Sequence, residues 1–238
     1  MSFEFTKENM NDFFMALGKE FRRLNGTKMR AEIVLIGGGA VLANYGFRDF
    51  TNDMDAIIRS SSVMKEAILF VSDKFDLPYD WLNTDFKRTE SYSNRLEEVS
   101  VYYRTYSNIL EIRTVTAEYL IAMKLMSGRR YKNDLSDIAG ILWEHNKNDK
   151  SITREIIENA FIKLYNQKEM PEISKKLLDD VFDSKDFESA YVKFRESEIN
   201  LSTRLIEFDK NYPGERRNVP ISEIIERIEQ MEKERSNI

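Results

Sequence analysis

The stretch from Ile33 to Ile58, IVLIGGGAVLANYGFRDFTNDMDAII, constrains the fold more than any other part of the chain. The apolar, β-branched run Glu32–Ile36 predicts a strand. Gly37, Gly38 and Gly39 follow it, and a residue without a Cβ lets the backbone turn sharply and come close to a ligand. Ala40–Tyr45 suits a short helix that Gly46 can stop. Amides at the start of such a helix favour an anion. A second strand, Asp53–Ile58, carries two acids. Side chains alternate along a strand, so Asp53 and Asp55 share one face and Met54 takes the other. Two adjacent carboxylates repel each other, and a divalent cation removes that cost. Mg²⁺ in particular prefers one or two carboxylates together with substrate phosphates. A glycine cradle and a carboxylate pair, joined by one strand–helix–strand unit, predict a site for a metal-bound nucleoside triphosphate. Gly37, Gly38, Gly39 and Thr51 would lie on its nucleotide side, and Asp53 and Asp55 would be its Mg²⁺ ligands.

The other elements follow from periodicity and caps. Thr6–Leu24 predicts a helix, with Thr6 as N-cap and Gly26 beyond its end. Ser60–Ser62 would cap a helix running to Phe75. Asp76–Glu97 is polar with interleaved aromatics, among them Tyr79, Trp81 and Tyr92. It predicts a loop whose rings either stack on a base or anchor the loop to the core. Val99–Tyr106 and Ile109–Arg113 predict two strands turning at Ser107-Asn108. Thr116 would cap a largely apolar helix, Ala117–Ser127, ended by Gly128. Lys124 interrupts that helix, either as a stem reaching the rim of the core or as a cation aimed at a phosphate. Asp134 can serve as N-cap of a helix over Leu135–Trp143, with Asp137 in its first turn.

The composition shifts to polar residues at 146–151, and the chain beyond them reads as helix over 152–165, 171–182, 187–208 and 221–235. A boundary is therefore expected there, giving an N-terminal domain over 1–147 and a helical domain over 148–238. In the last segment Ile221, Ile224, Ile225, Ile228 and Met231 form one apolar stripe, for packing on its own domain or on a partner. The fold class expected is α/β (α+β): a mixed sheet flanked by helices, followed by an all-helical C-terminal part.

With 238 residues and 42% hydrophobic content, the chain can bury a sizeable core. A net charge of -5 gives no overall attraction to nucleic acid or anionic membrane. The chain has no cysteine, which excludes disulfides and thiolate metal sites, and the single His145 excludes a multi-histidine zinc site. The N-terminal segment lacks an apolar leader, and the longest apolar run, Ile33–Ala43, is too short to cross a bilayer. A cytoplasmic protein without membrane association is expected.

These residues resemble a known family. Glycine pair, spacer and Asp-hydrophobic-Asp are similar to the pattern of the nucleotidyltransferase superfamily, which includes DNA polymerase beta and the small bacterial antibiotic nucleotidyltransferases. The pair is either Gly38-Gly39, with Ala40–Asn52 as spacer, or Gly37-Gly38, preceded by the hydrophobic Ile36. GGGAVLANYGFRDFTNDMDAII resembles in particular a bacterial subgroup that includes toxins of type IV toxin–antitoxin (abortive-infection) systems. The resemblance implies the polymerase-beta-like fold and transfer of a nucleoside monophosphate from an NTP to an acceptor hydroxyl, with Mg²⁺ as cofactor. It leaves the acceptor open among an antibiotic, a protein and an RNA or tRNA, with the Arg129–Lys132 patch leaning to RNA, and the toxin subgroup implies an antitoxin-type protein partner. The subgroup carries a functional lysine in a comparable helix and a later Asp-x-x-Asp. By that match Lys124 and Asp134 become catalytic candidates and Asp137 a weaker one, with Arg129, Arg130 and Lys132 as phosphate or RNA contacts. Many superfamily members place a third acid on a strand beside the Asp-x-Asp strand. Glu111 is either that acid or a partner of Arg113 or Arg104 on an exposed face. The alternative function is a catalytically silent protein of this fold that binds a nucleotide or a partner.

Overall fold

A computed structural model of the chain describes residues 3–27, 29–129, 132–166, 169–184, 186–215 and 219–236, with side chains to residue 230 except 222 and 229. Arg130, Tyr131 and the side chain of Met231 therefore lie outside the described residues. The elements run β1 (Phe5–Thr6), α1 (Lys7–Asn25), β2 (Ala31–Leu35), α2 (Gly37–Asn44), β3 (Phe50–Thr51), β4 (Met54–Arg59), α3 (Met64–Phe75), β5 (Leu82–Asn83), β6 (Ser100–Tyr106), β7 (Leu110–Val115), α4 (Ala117–Ser127), α5 (Asp134–Lys147), α6 (Arg154–Tyr165), α7 (Glu172–Asp183), α8 (Phe187–Asn211) and α9 (Ile221–Ser236). The five main strands form one mixed sheet in the order β5-β4-β2-β7-β6, and β1 pairs with β3 apart from it. The expected α/β class, a mixed sheet flanked by helices with helices at the C-terminal end, is what the chain adopts.

Local chemistry explains most of the element ends. Thr6 caps α1 in a reciprocal box: its hydroxyl accepts from the Asn9 amide at 3.3 Å, and the Asn9 side chain accepts from the Thr6 amide at 2.9 Å. Thr6→Ala should cost about 1 kcal/mol of stability, read from the denaturation midpoint. The β6–β7 turn places Ser107 and Asn108 at φ 51° and 58°, the paired left-handed conformation that matches strand twist. Helix α4 stops at Gly128 in the left-handed region.

Three expected boundaries differ. Helix α2 starts at Gly37 rather than Ala40, because Gly37 adopts φ +55° and the Ala40 amide reaches the Ile36 carbonyl at 3.2 Å. Val63, not the preceding serines, is the cap residue of α3. Asn133, not Asp134, is the cap position of α5, so the Asp134 carboxylate is left for other partners.

Helix α1 covers one sheet face, where Phe14 packs on Tyr106 and on Trp81. Trp81 is 2% exposed, and its indole donates to the Ile68 carbonyl at 3.4 Å. It anchors the 76–97 segment to the core and is not a stacking platform. Buried side chains of α6 and α7 join the same apolar core as the sheet, including Ile157, Phe161, Leu178 and Val181. The polar stretch at 146–151 is thus a connection across a shared core. A separate small cluster gathers Leu205, Phe208, Ile224, Ile225 and Ile228 at the α8–α9 end.

Candidate active site

The site forms where β2 ends and β4 begins. The two strands are antiparallel, with Leu35 opposite Ala56, so Ile36 and Gly37 come level with Asp55. The Ile36 amide donates to the Asp55 carbonyl at 3.1 Å. Ala56 faces the same side as Leu35, so alternation turns Asp55 to the side away from α1. Asp53 lies just ahead of β4 and is exposed, while Asp55 is half-buried. Both line a cavity of about 470 Å³ that also takes in Gly37, Gly38, Thr51, Lys124, Arg129, Lys132 and Asp134.

Close packing explains the second glycine. A Cβ on Gly38 would sit 2.5 Å from the Thr51 hydroxyl and 3.1 Å from the Arg48 guanidinium. The Thr51 hydroxyl donates to the Asp53 carbonyl at 3.3 Å, so any shift it makes moves the carboxylate loop. Gly38→Ala is expected to leave the fold intact and to weaken nucleotide binding at least tenfold, which a binding titration beside a melting curve would read.

Electrostatics divide the cavity into two parts. Burial and the neighbouring Asp53 push the Asp55 carboxyl up to about 6, against the pull of Lys132 and Arg129. This carboxylate pair is held at a cost, and a cation would relieve it. The floor is a buried ion network. Lys124, 7% exposed, places its ammonium 2.9 Å from Asp134 and 2.7 Å from Asp137. Arg129 pairs with Asp134 at 3.0 Å, and Arg48 pairs with Asp137 at 2.6 Å. Burial would raise Asp134, but Lys124 and Arg129 hold it down to about 2. Burial would likewise lower Lys124, and the two aspartates more than offset it. Among the described residues, the cations Lys124, Arg129 and Arg48 enclose the two carboxylates Asp134 and Asp137.

A model of the family DUF6036, nucleotidyltransferases of unknown function, matches residues 12–200. The chain belongs to that family. No curated protein and no solved structure matches it. The family match runs past residue 147 and into α8, as does the shared core. Among the described residues no helix is long and apolar enough to cross a membrane.

The structure brings most of the expected site residues together. Gly37, Gly38, Thr51, Asp53, Asp55, Lys124 and Asp134 all line one cavity, and Gly39 packs against Met54 behind it. Lys124 does not reach the rim of the core, because its ammonium is enclosed between two aspartates. Asp137 sits in the same network, beneath the cavity lining.

Glu111 is placed elsewhere. It pairs with Arg113 at 2.8 Å and lies opposite Glu32, which in turn lies opposite Arg59. Asp55 is four residues from Arg59 on β4, roughly 13 Å away along the strand. Strand β2 also separates β7 from β4. The strand beside the carboxylates is instead β5, where Asn83 stands opposite Asp55. Asp85 follows two residues later, lines the cavity and adds to the upward push on Asp55.

Sequence reading missed Asp85, Arg48 and Glu198. The signal for Arg48 was its place between a helix stop and the Asp-x-Asp strand. Glu198 left no local signal. Tyr79 is exposed and outside the cavity lining, which carries Phe86 instead.

Proposed function

We propose that this family member transfers a nucleoside monophosphate from a Mg²⁺-bound nucleoside triphosphate to an acceptor hydroxyl, releasing pyrophosphate. The observation that carries the reading is the single cavity that joins Asp53 and Asp55 to the Gly37-Gly38 turn and to Arg129 and Lys132.

The residues fit the metal. Among the described residues no group of three or more His, Cys, Asp or Glu side chains is placed to hold an ion. Mg²⁺ needs no such cage, since one or two carboxylates and substrate phosphates suffice. Asp53 and Asp55 would hold it, and the raised Asp55 is a carboxylate that gains from a cation. Bound there, the ion would supply charge neutralisation at the reacting phosphate and alignment of the triphosphate.

The chain's own groups supply the rest. Gly37 and Gly38, the first residues of α2, let the backbone approach the phosphates. Thr51 holds the Asp53 loop in place. Arg129 and Lys132 line the same cavity and counter the charge that accumulates on the leaving pyrophosphate. Lys124 and Asp134 keep the floor fixed. Asp85 lines the same cavity and adds to the upward push on Asp55, and in this reading it takes the proton from the acceptor hydroxyl. Exposed Lys87 and Arg88 follow Asp85 in the same short helical turn and favour a polyanionic acceptor such as RNA.

The test uses α-labelled ATP, CTP, GTP and UTP in turn, with Mg²⁺, total cellular RNA and purified protein, beside an Asp53→Ala/Asp55→Ala control. Label on RNA, on protein or in a small product, absent from the control, is the expected result. Nucleotide binding without transfer would replace this reading with that of a catalytically silent binding protein.

A further inference from the structure

The first turn of α5 carries Asp134 and Asp137, and its amide groups need acceptors. Asn133, at the cap position, makes no side-chain cap bond. The acceptor comes from α8, more than sixty residues away. Glu198, 2% exposed, accepts from the Leu135 amide at 2.9 Å and the Ser136 amide at 3.2 Å through one oxygen. Its other oxygen accepts from the Ser136 hydroxyl at 2.5 Å. Two further ties run along the same face of α8. Arg195 donates to the Asn133 side chain, and Ser202 lines the cavity itself.

We propose that Glu198 is a positioning residue of the active site. By capping α5 from the C-terminal half, it fixes the turn on which Asp134 and Asp137 meet Lys124, and with it the loop carrying Lys132 and Asn133. The site is therefore completed by α8 and not borne by residues 1–147 alone. This rests on the nucleotidyltransferase reading for its consequence, but the capping role stands on geometry alone.

Glutamine at 198 keeps an acceptor for both amides and a polar group for Ser136. Burial, countered by the bonds from Ser136 and Leu135, pushes the Glu198 carboxyl up to about 7, so a neutral side chain suits the place. Alanine removes every contact. Leu205, buried one helical stretch further along α8, provides a variant that weakens packing without touching α5.

The experiment compares wild type, Glu198→Gln, Glu198→Ala and Leu205→Ala as full-length proteins. Amide hydrogen exchange is measured across α5, and affinity for Mg²⁺-ATP, -CTP, -GTP and -UTP is measured below the melting range of each. Glu198→Ala should lose protection at Leu135 and Ser136 while Ile141 and Leu142 keep theirs, and should bind nucleotide about tenfold more weakly, the scale on which outer partners of a site act. Glu198→Gln should behave as wild type, and Leu205→Ala should melt earlier with its nucleotide affinity unchanged. Wild-type affinity in Glu198→Ala, or an equal loss in Leu205→Ala, would overturn the proposal. If wild type itself binds no nucleotide, the nucleotidyltransferase reading fails. The exchange data then decide alone: unchanged protection at Leu135 and Ser136 refutes the capping role, and selective loss supports it.

Discussion

Asp55→Asn is expected to lower nucleotidyl transfer severely and, at neutral pH, to make the metal-free protein more stable. Both effects come from one cause. Burial and Asp53 raise the Asp55 carboxyl to about 6, so ionising it in the folded state costs free energy. A group whose folded value lies above its unfolded value favours the fold below the unfolded value, and that contribution is lost as pH rises through the folded value. For Asp55 the window runs from about pH 4 to about pH 6. Above it, wild type carries a penalty that Asp55→Asn removes. Discounted for the partial exposure of Asp55, the gain is about 1 kcal/mol, or roughly 2–4 °C in melting temperature. Melting curves in chelator at pH 4 and pH 7.5 would read it, with a difference expected only at the higher pH. Loss of one of two metal carboxylates should lower transfer by about three orders of magnitude. Mg²⁺ should raise the melting temperature of wild type and not of the variant.

Removing the Lys124 charge is expected to be the most destabilising change near the site. Lys124→Met keeps the volume but leaves Asp134 and Asp137 buried at 1% and 2% exposure, paired among the described residues with Arg129 and Arg48 respectively. Breaking one partner of a buried ion group costs about 3 kcal/mol or more, roughly 10 °C in a chain of this size. A second change, Asp134→Asn in the same background, should recover part of that loss, because it removes a buried carboxylate that has lost its enclosed cation and keeps the part-exposed Arg129. The wild-type network also fixes an acid limit. Asp134 is held down to about 2, below the ordinary carboxylate value, so its contribution is complete above about pH 4 and is lost as pH falls toward 2. Thermal unfolding of wild type and Lys124→Met at pH 7 and pH 3 would read both effects, with a smaller gap between the two proteins at pH 3.

The sequence makes legible the chemistry that acts over a few residues. Thr6 capping α1, the Ser107-Asn108 turn, Gly128 ending α4 and the Asp53–Asp55 pair are local, and each is readable from residue type and spacing. The site residues Gly37, Gly38, Thr51, Asp53 and Asp55 lie within one strand–helix–strand unit, so their meeting in one cavity is legible too. Strand order is not. Glu111 has the right residue type on a real strand, but the sheet puts β2 between β7 and β4 and turns Glu111 to the far end. Buried ion pairing is not legible either. Lys124 reads the same in sequence whether it reaches water or lies between Asp134 and Asp137. Arg48 and Glu198 act on partners 89 and 62–63 residues away, and such pairings leave no periodicity. The polar stretch at 146–151 reads as a boundary because exposed connections are polar, whether or not the core continues beyond them.

The measurement that tests the central claim most directly is a titration of each nucleoside triphosphate into wild type and into Asp53→Ala/Asp55→Ala, with Mg²⁺ and then with chelator. At least one nucleotide should bind wild type with Mg²⁺, and chelator or the double substitution should abolish that binding while melting shows the variant folded. Binding that is indifferent to Mg²⁺ and to both carboxylates, or no binding by any of the four, would contradict a metal–nucleotide site built on Gly38, Asp53 and Asp55.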